Sequence, residues 1–517
     1  MRCSNSAVRR TVWRSSPFLF AVVALLSVSA PAQTPPAPWS GHARDPQHTG
    51  ISPVAAQPLR HIRWTARVDL RPQYSGPYLL THYGSPVVTA GNTVIFPVKT
   101  AAANGSTGAG RFRIEARRGT DGTVVWRQDT NYLLPPHNWT PTCGPTLTPQ
   151  NRVCFPGPGG TVHFRTNPDS ATGTVGAWSF FGMNQYSKDP ATYNARVRIN
   201  TPITSDRAGN LFFGYLVLGN NPLNLKSGIA RLTPTGSGAY QFASALASDP
   251  GMTQVANNCA PALSNDQRIV YVAVRNNGGT GYLVGLDSLT LAPRYRVALT
   301  NPLNGGGTII HNDGTASPTV GPDGDVYYGT WNGGETNFRG WMLHFSADLR
   351  QKKTPGGFGW DDTASIVPAG MVPSYTGKSS YLIMTKYNNY AGAGNGDGVN
   401  QLAVLDPNDT QTLAINGATV MKEVLVIKGP TPDGDHPGFP NAVREWCINT
   451  AAVDPANRSI IVNCEDGKLY RWDLTSNTFT EGVRLTPGIG QAYTPTVIGS
   501  DGTSYAINNA TLYAVGK

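Results

Sequence analysis

Along most of this chain, apolar and polar residues alternate in short runs bounded by Gly, Asn, Asp and Pro, the period-two pattern of half-buried strands. One unit recurs. It reads "HYGSPVVTAGNTVIFPV" at 82–98, "TCGPTLTPQNRVCFPG" at 142–157, "INTPITSDRAGNLFFG" at 199–214, "NCAPALSNDQRIVYVA" at 258–273 and "TASPTVGPDGDVYYG" at 315–329. Weaker copies begin at 363 and 449, and the last, "AYTPTVIGSDGTSYAI", is at 492–507. Each copy is a small residue, usually a proline, an apolar strand, a turn and a second apolar strand. The anchor positions are Pro86, Pro145, Pro202, Pro261, Pro318, Ile366, Ala451 and Pro495. Further alternating strands follow each anchor pair, as in "RFRIEARRGTDGTVVW" (111–126) and "GYLVGLDSLTLAPRYRV" (281–297). Four strands per unit, repeated at intervals of tens of residues, predict a β-propeller.

Closure sets the blade count. The last unit ends at "TLYAVGK" with three strands, and a spare strand, "RHIRWTARVDL" (60–70), precedes the first unit. If that strand completes the last blade, no sheet edge is left open. The expectation is an all-β, eight-bladed propeller of four-stranded antiparallel blades over 60–517, closed by an N-terminal strand. The wide interval between Ile366 and Ala451 then holds one blade with enlarged loops, "NNYAGAGNGDGVN" and "KGPTPDGDHPGFPNAVREW".

Residues 1–32 read as a secretory signal: Arg2, Arg9, Arg10 and Arg14, an apolar run from Phe18 to Val28, then Ala30-Pro31-Ala32 with cleavage expected after Ala32. The run is too short for a membrane helix, which needs roughly 20 apolar residues. No other segment is long and apolar enough to cross. Residues 33–59 form a lead-in segment. The expected location is periplasmic or extracellular, with no transmembrane span and a monomeric state.

Composition changes the picture in two ways. Gly (58) and Pro (41) are abundant and charged residues are only 14% of the chain, which fits many short strands joined by tight turns. The formal charge of +10 includes four arginines of the leader, and no dense Lys/Arg block exists. Nucleic acid is therefore not an expected partner. Export permits disulfides. Cys447 and Cys464 flank a predicted hairpin, as do Cys143 and Cys154, slightly out of register when counted from the turn; Cys259 is the odd thiol.

The repeat resembles that of the pyrroloquinoline quinone (PQQ) propeller superfamily, the quinoprotein alcohol dehydrogenase-like fold. The lead "WSGHARDPQHTGISPV" (39–54) followed by "HIRWTARV" is similar to that family's lead into its ring. Ala116, Gly122 and Trp126 match its outer-strand motif, in which the tryptophan docks between blades; Arg118 stands where Asp is expected. Asp287, Thr290 and Tyr295 match it in another blade, and Asp473 in a third. The resemblance implies an eight-bladed ring, and in catalytic members PQQ with calcium, two adjacent cysteines, a catalytic Asp and a tryptophan under the quinone. This chain has no Cys-Cys pair. Relatives that use the ring as a scaffold include the outer-membrane assembly lipoprotein of Gram-negative bacteria.

In a propeller, the residues just before each innermost strand lie on one face near the axis. Those lead-ins supply His82, His137 with Trp139, Arg198 with Asn200, Asn258, His311 with Asp313, Trp360 with Asp361 and Asp362, Arg444 with Glu445 and Trp446, and Tyr493. The tryptophans offer flat faces for a sugar ring or a flat cofactor. Asp361, Asp362 and Glu445 are a candidate calcium site or acid/base group. His137 and His311 are candidate transition-metal ligands. Each also has a plainer reading, as turn caps, backbone partners or packing between blades. "GNGDGVN" (394–400) and "PDGD" (432–435) lack EF-hand spacing and read as turns. No phosphate-cradling glycine loop, G-x-S-x-G, CxxC or CxxCH occurs.

The leading functional expectation is a binding or scaffold propeller for a polar small molecule, a glycan or an exported protein. The alternatives are a PQQ- and calcium-dependent oxidoreductase of alcohols or sugars, and a carbohydrate-active enzyme using Asp361 and Glu445.

Overall fold

The computed structural model describes Thr11 and residues 37–517, apart from 105–108, 138 and 140–141; the leader expected at 1–32 lies outside the described residues. Among the described residues, eight antiparallel blade sheets follow one another along the chain, with a small hairpin of Tyr74–Ser75 and Tyr78–Leu79 before the first. Blade one holds Val87–Val88, Thr93–Asn104, Ala109–Arg118 and Val124–Asp129; blade six holds Ser365–Pro368, Tyr381–Tyr387, Gln401–Thr412 and Thr419–Lys428. The enlarged loops expected in blade six fall between Tyr381–Tyr387 and Gln401–Thr412, and after Thr419–Lys428.

Blade eight is built from both ends of the ring. His61–Arg67 pairs antiparallel with Thr511–Gly516, Trp64 opposite Ala514 and Thr65 opposite Tyr513. The closing strand also meets blade one. The Trp64 indole N–H donates to the Gly119 carbonyl at 2.9 Å, and Gly122, at a φ of 72°, leaves no room for a Cβ against that ring. Trp126 makes the same kind of contact one blade on, donating to the Pro168 carbonyl at 2.7 Å. The expected docking tryptophan is thus used, and Trp64 fills the equivalent slot at the closure.

The innermost strand of a blade presents a free hydrogen-bonding edge to the channel, and unpaired edges are costly to leave open. Residues 39–53 satisfy most of these edges by winding through the ring. Trp39 exchanges both backbone hydrogen bonds with Val88 at 3.0 Å. Leu147 donates to Ser40, Leu263 to Pro46, Val320 to Gln47 and Ile366 to Thr49, and Val453 bonds with Gly50 and Ser52. One irregular segment therefore clasps blades one, two, four, five, six and seven. Its coil needs positive φ at Ala43, Arg44, His48 and Gly50. A Cβ on Gly50 would lie 2.8 Å from the Ala451 carbonyl oxygen.

The clasp carries two histidines into the interior. The rings of His42 and His48 meet edge to face at 5.2 Å. His48 Nδ1 contacts the Pro318 carbonyl at 2.7 Å, with Asp45 as its charged neighbour, and Asn449 bonds to His42. Burial depresses both, His48 from 6.5 to about 4 and His42 well below its ordinary value. An unfolded chain takes up these protons near 6.5 and the folded one does not, so stability is lost as pH falls from 6.5 toward 4. The loss for His48 alone is about 3 kcal/mol. The urea midpoint is expected to be lower at about pH 4.5 than at about pH 7.5, and His48→Asn should flatten the slope. A midpoint that rises on acidification contradicts this assignment.

The cysteine expectations need correction. Cys143, Cys154, Cys259, Cys447 and Cys464 are all buried free thiols. In the sheet of Cys154, that residue faces Thr146, three residues beyond Cys143. Continuing the register of Ala452 with Ile461 sets Cys464 opposite Asn449, two residues from Cys447. Neither pair faces across its hairpin.

Candidate functional site

Lead-ins from seven blades and the clasp meet on the axis. Gly84, Ser85, Gly144, Pro145, Pro202, Asn258, Thr315, Asn449, Tyr493, Thr494 and Pro495, with His42, enclose a cavity of about 20 Å³. That is room for a water-sized guest.

Several of the lead-in candidates serve as ties between blades. The Asn200 side chain donates to the Val255 carbonyl and to Asn257, both at 2.9 Å, and Asn257 passes the link to Asn312 at 3.0 Å. Asn258 donates to the Gly314 carbonyl at 3.1 Å. Asp361 accepts from the Thr315 amide at 2.8 Å. The Arg198 guanidinium takes backbone carbonyls at the end of the short helix Pro190–Arg196, those of Asn194, Ala195 and Val197. Trp446 is not a ligand platform: it is fully buried and packs on Tyr470 and Phe479. Asp362 is also buried. Burial raises its carboxyl well above the usual range against the pull of Lys386.

The histidines separate. His137 lies beside His82, ring centres 6.3 Å apart, and His82 Nδ1 contacts the Lys99 ammonium at 3.2 Å. Burial, with His82 adding, lowers His137 to about 3. His311 instead stands against Trp360 at 5.3 Å and Trp331 at 6.3 Å. His137 and His311 thus keep different ring partners.

What the face does bring together is aromatic and acidic. Trp139 of blade two meets Tyr493 of blade eight edge to face at 4.6 Å, and its backbone hydrogen-bonds Asp313 of blade five. Asp313 sits next to His311 and so to the Trp331–Trp360 pair, whose rings are 6.1 Å apart. Trp139, Tyr493, Asp313 and Trp360 are half-buried and His311 is exposed. Burial raises the Asp313 carboxyl, with His311 opposing.

Beside Tyr493 lies a second group. Ligand atoms of Glu445, Cys447 and Glu465 fall within 4.8 Å of one another. The Glu445 amide donates to Glu465 at 3.2 Å, and the Cys447 thiol contacts Tyr493. Burial holds both carboxyls well above the carboxylate range, with Lys386 opposing at Glu445 and the Glu445 charge adding at Glu465. Arg444, the nearby arginine, is committed to Asp433 and Asp435.

Sequence reasoning missed Glu465, Lys386 and Trp331. Lys386 lies at the end of the second strand of its blade, and Trp331 and Glu465 just after theirs; that strand runs back to the lead-in face, so the loops between second and third strands share it. The signal was available in "NCEDG" and "GTWNGG".

PQQ with calcium was also tested against these residues. The axial cavity is lined by uncharged groups and the imidazole of His42, and the crevice at Trp331 and Trp360 has a volume of about 10 Å³. A fused-ring tricarboxylate needs far more room and cationic partners. The nearby carboxylates are of the kind that holds calcium, but neither space admits the quinone rings. The residues present do not fit the quinone.

No family model and no curated protein matches the chain. Similar solved structures include a europium-containing methanol dehydrogenase (12% identity, TM-score 0.40, covering 92% of this chain and 89% of that one). They also include the computationally designed Ika8 protein (10%, 0.44, 89% and 100%), and the quinohemoprotein alcohol dehydrogenase from Comamonas testosteroni (11%, 0.45, 92% and 70%). At such identities the likeness concerns the ring and carries no argument about activity. The chain has the eight-bladed propeller architecture that its repeats resemble.

Proposed function

We propose that this protein is an exported binding propeller that takes a glycan on its lead-in face. One observation supports this best: Trp139, Tyr493 and Asp313, from blades two, eight and five, are drawn together above an axis that the clasp fills from within. Half-buried aromatic faces stack on the apolar face of a sugar ring, and a neighbouring carboxylate accepts from its hydroxyls. An open tunnel through the ring, which a transit or threading role requires, is excluded by residues 39–53.

The test is a tryptophan-fluorescence titration of the purified chain with a panel of neutral, acidic and basic oligosaccharides. At least one class is expected to saturate, with affinity falling by at least about tenfold in Trp139→Ala, as for an aromatic anchor. Absence of binding across the panel, or a Trp139→Ala chain that binds like the parent, rejects the reading. Co-purification of an exported protein without sugar binding would favour the scaffold alternative. Hydrolysis of a bound glycan would show as turnover lost in Glu445→Gln with affinity retained.

A further inference from the structure

We propose that Glu445, Cys447 and Glu465 form a mononuclear site for a divalent transition metal of the zinc class, with one coordination position open to the lead-in face. This goes beyond the glycan reading and does not depend on it.

Three observations converge. The donor atoms, two carboxylate oxygens and one sulfur, are within 4.8 Å of one another, close enough for small side-chain movements to bring all three onto one ion. They come from different parts of blade seven: Glu445 and Cys447 from its lead-in, and Glu465 from the loop after Ser459–Asn463. The site thus joins two separate segments of the blade and is not built from one loop. Cys447 and Glu465 are 3% and 5% exposed, whereas Glu445 is half-buried, so the fourth position faces solvent on the Glu445 side.

Charge supplies the second argument. Neither Glu445 nor Glu465 has an ion-pair partner within 4.0 Å among the described residues. Arg444 is taken by Asp433 at 3.0 Å and by Asp435. Asp466 adds a further buried carboxylate nearby, bonded to Thr431 and Tyr470. Buried carboxyls are ordinarily paired or coordinate a metal, and these two have no ion-pair partner among the described residues to hold them.

Donor type chooses the metal. A thiolate with two carboxylates suits zinc-class ions and disfavours calcium and magnesium, which take all-oxygen shells. Three protein ligands with one free position is the arrangement of zinc sites that engage a further ligand. On binding, the Cys447 S–H bond breaks, as does the O–H bond of either carboxyl still protonated; these protons go to solvent, and the sulfur and one oxygen of each carboxylate donate lone pairs to the metal; no electron is transferred.

The purified full chain, stripped with a chelator, would be titrated with Zn²⁺ by calorimetry and with Co²⁺ by absorption. One equivalent of Zn²⁺ and a thiolate-to-cobalt charge-transfer band are expected. The band should vanish in Cys447→Ser and persist in Cys259→Ser, and Zn²⁺ affinity should fall at least about tenfold in Glu465→Gln. Glu465→Gln, checked by circular dichroism, keeps the test decisive if Cys447→Ser fails to fold. Absence of stoichiometric Zn²⁺ binding, or a cobalt band that survives Cys447→Ser, overturns the site. Sugar titrations of the stripped chain separate this outcome from failure of the glycan reading.

Discussion

Replacing Trp39 by alanine will destabilise the protein by about 3–5 kcal/mol, the usual cost of emptying a buried tryptophan site. Trp39 is 1% exposed and belongs to the same apolar cluster as Tyr83, Val88, Val94 and Tyr505. Its backbone is paired with Val88 in both directions, so the alanine variant retains those bonds and loses only the ring's contacts. Because the clasp then runs on through five further blades, loosening its first anchor weakens a segment that touches most of the ring. Urea unfolding followed by circular dichroism measures this directly. Trp39→Phe should recover part of the loss. A cost below about 1 kcal/mol for the alanine variant would mean that the clasp lies on the ring without holding it.

Asp69→Ala will have an effect of similar size. Lys99 and Asp69 form an ion pair at 2.9 Å in which both side chains are 0% exposed, and Lys99 also reaches Gln73 and His82 at 3.2 Å. The pair lies where the chain leaves the closing strand and hooks onto blade one: Lys99 donates its amide to Val68, and Leu70 donates to Lys99. Desolvation outweighs the attraction between the partners, raising Asp69 and lowering Lys99. Removing one partner of a buried pair leaves an uncompensated charge and costs about 3–5 kcal/mol, whereas removing both costs much less. Adding Lys99→Met to Asp69→Ala should therefore restore much of the lost stability. Additive losses in the two single variants would show that the residues do not act as a pair.

The repeating strands were legible because each blade states its own pattern: a small residue, an anchor, an apolar strand and a turn. Closure was legible for the same reason, since "HIRW" ends in the aromatic slot that "TVVW" occupies one blade later. The clasp was not. Residues 39–53 have no period, and their path depends on positive φ at Ala43, Arg44 and His48, positions that no residue type announces. Their hydrogen bonds go to strands hundreds of residues away, and only the closed ring creates those partners.

The lead-in face was legible as an inventory and not as a site. Asn200, Asn258 and Asp361 look like ligand groups in sequence, but blade edges need backbone partners and take them first. Trp446 looks like a platform, but it is fully buried and packs against Tyr470 and Phe479. Glu465 and Lys386 were passed over because only the start of each innermost strand was followed. The end of the second strand returns to the same face, and it brings the second carboxylate to Glu445. The cysteines misled through spacing: hairpin-like separation is satisfied, while register places Cys464 two residues from facing Cys447.

The central claim is that ligand is taken on one face of a ring whose channel its own N-terminal segment fills. Hydrogen exchange with and without a saturating oligosaccharide tests it most directly. Binding should slow exchange at 139, 311–314 and 491–494 and leave 39–53 unchanged. Protection confined to the clasp or to the outer strands of the blades would contradict the account.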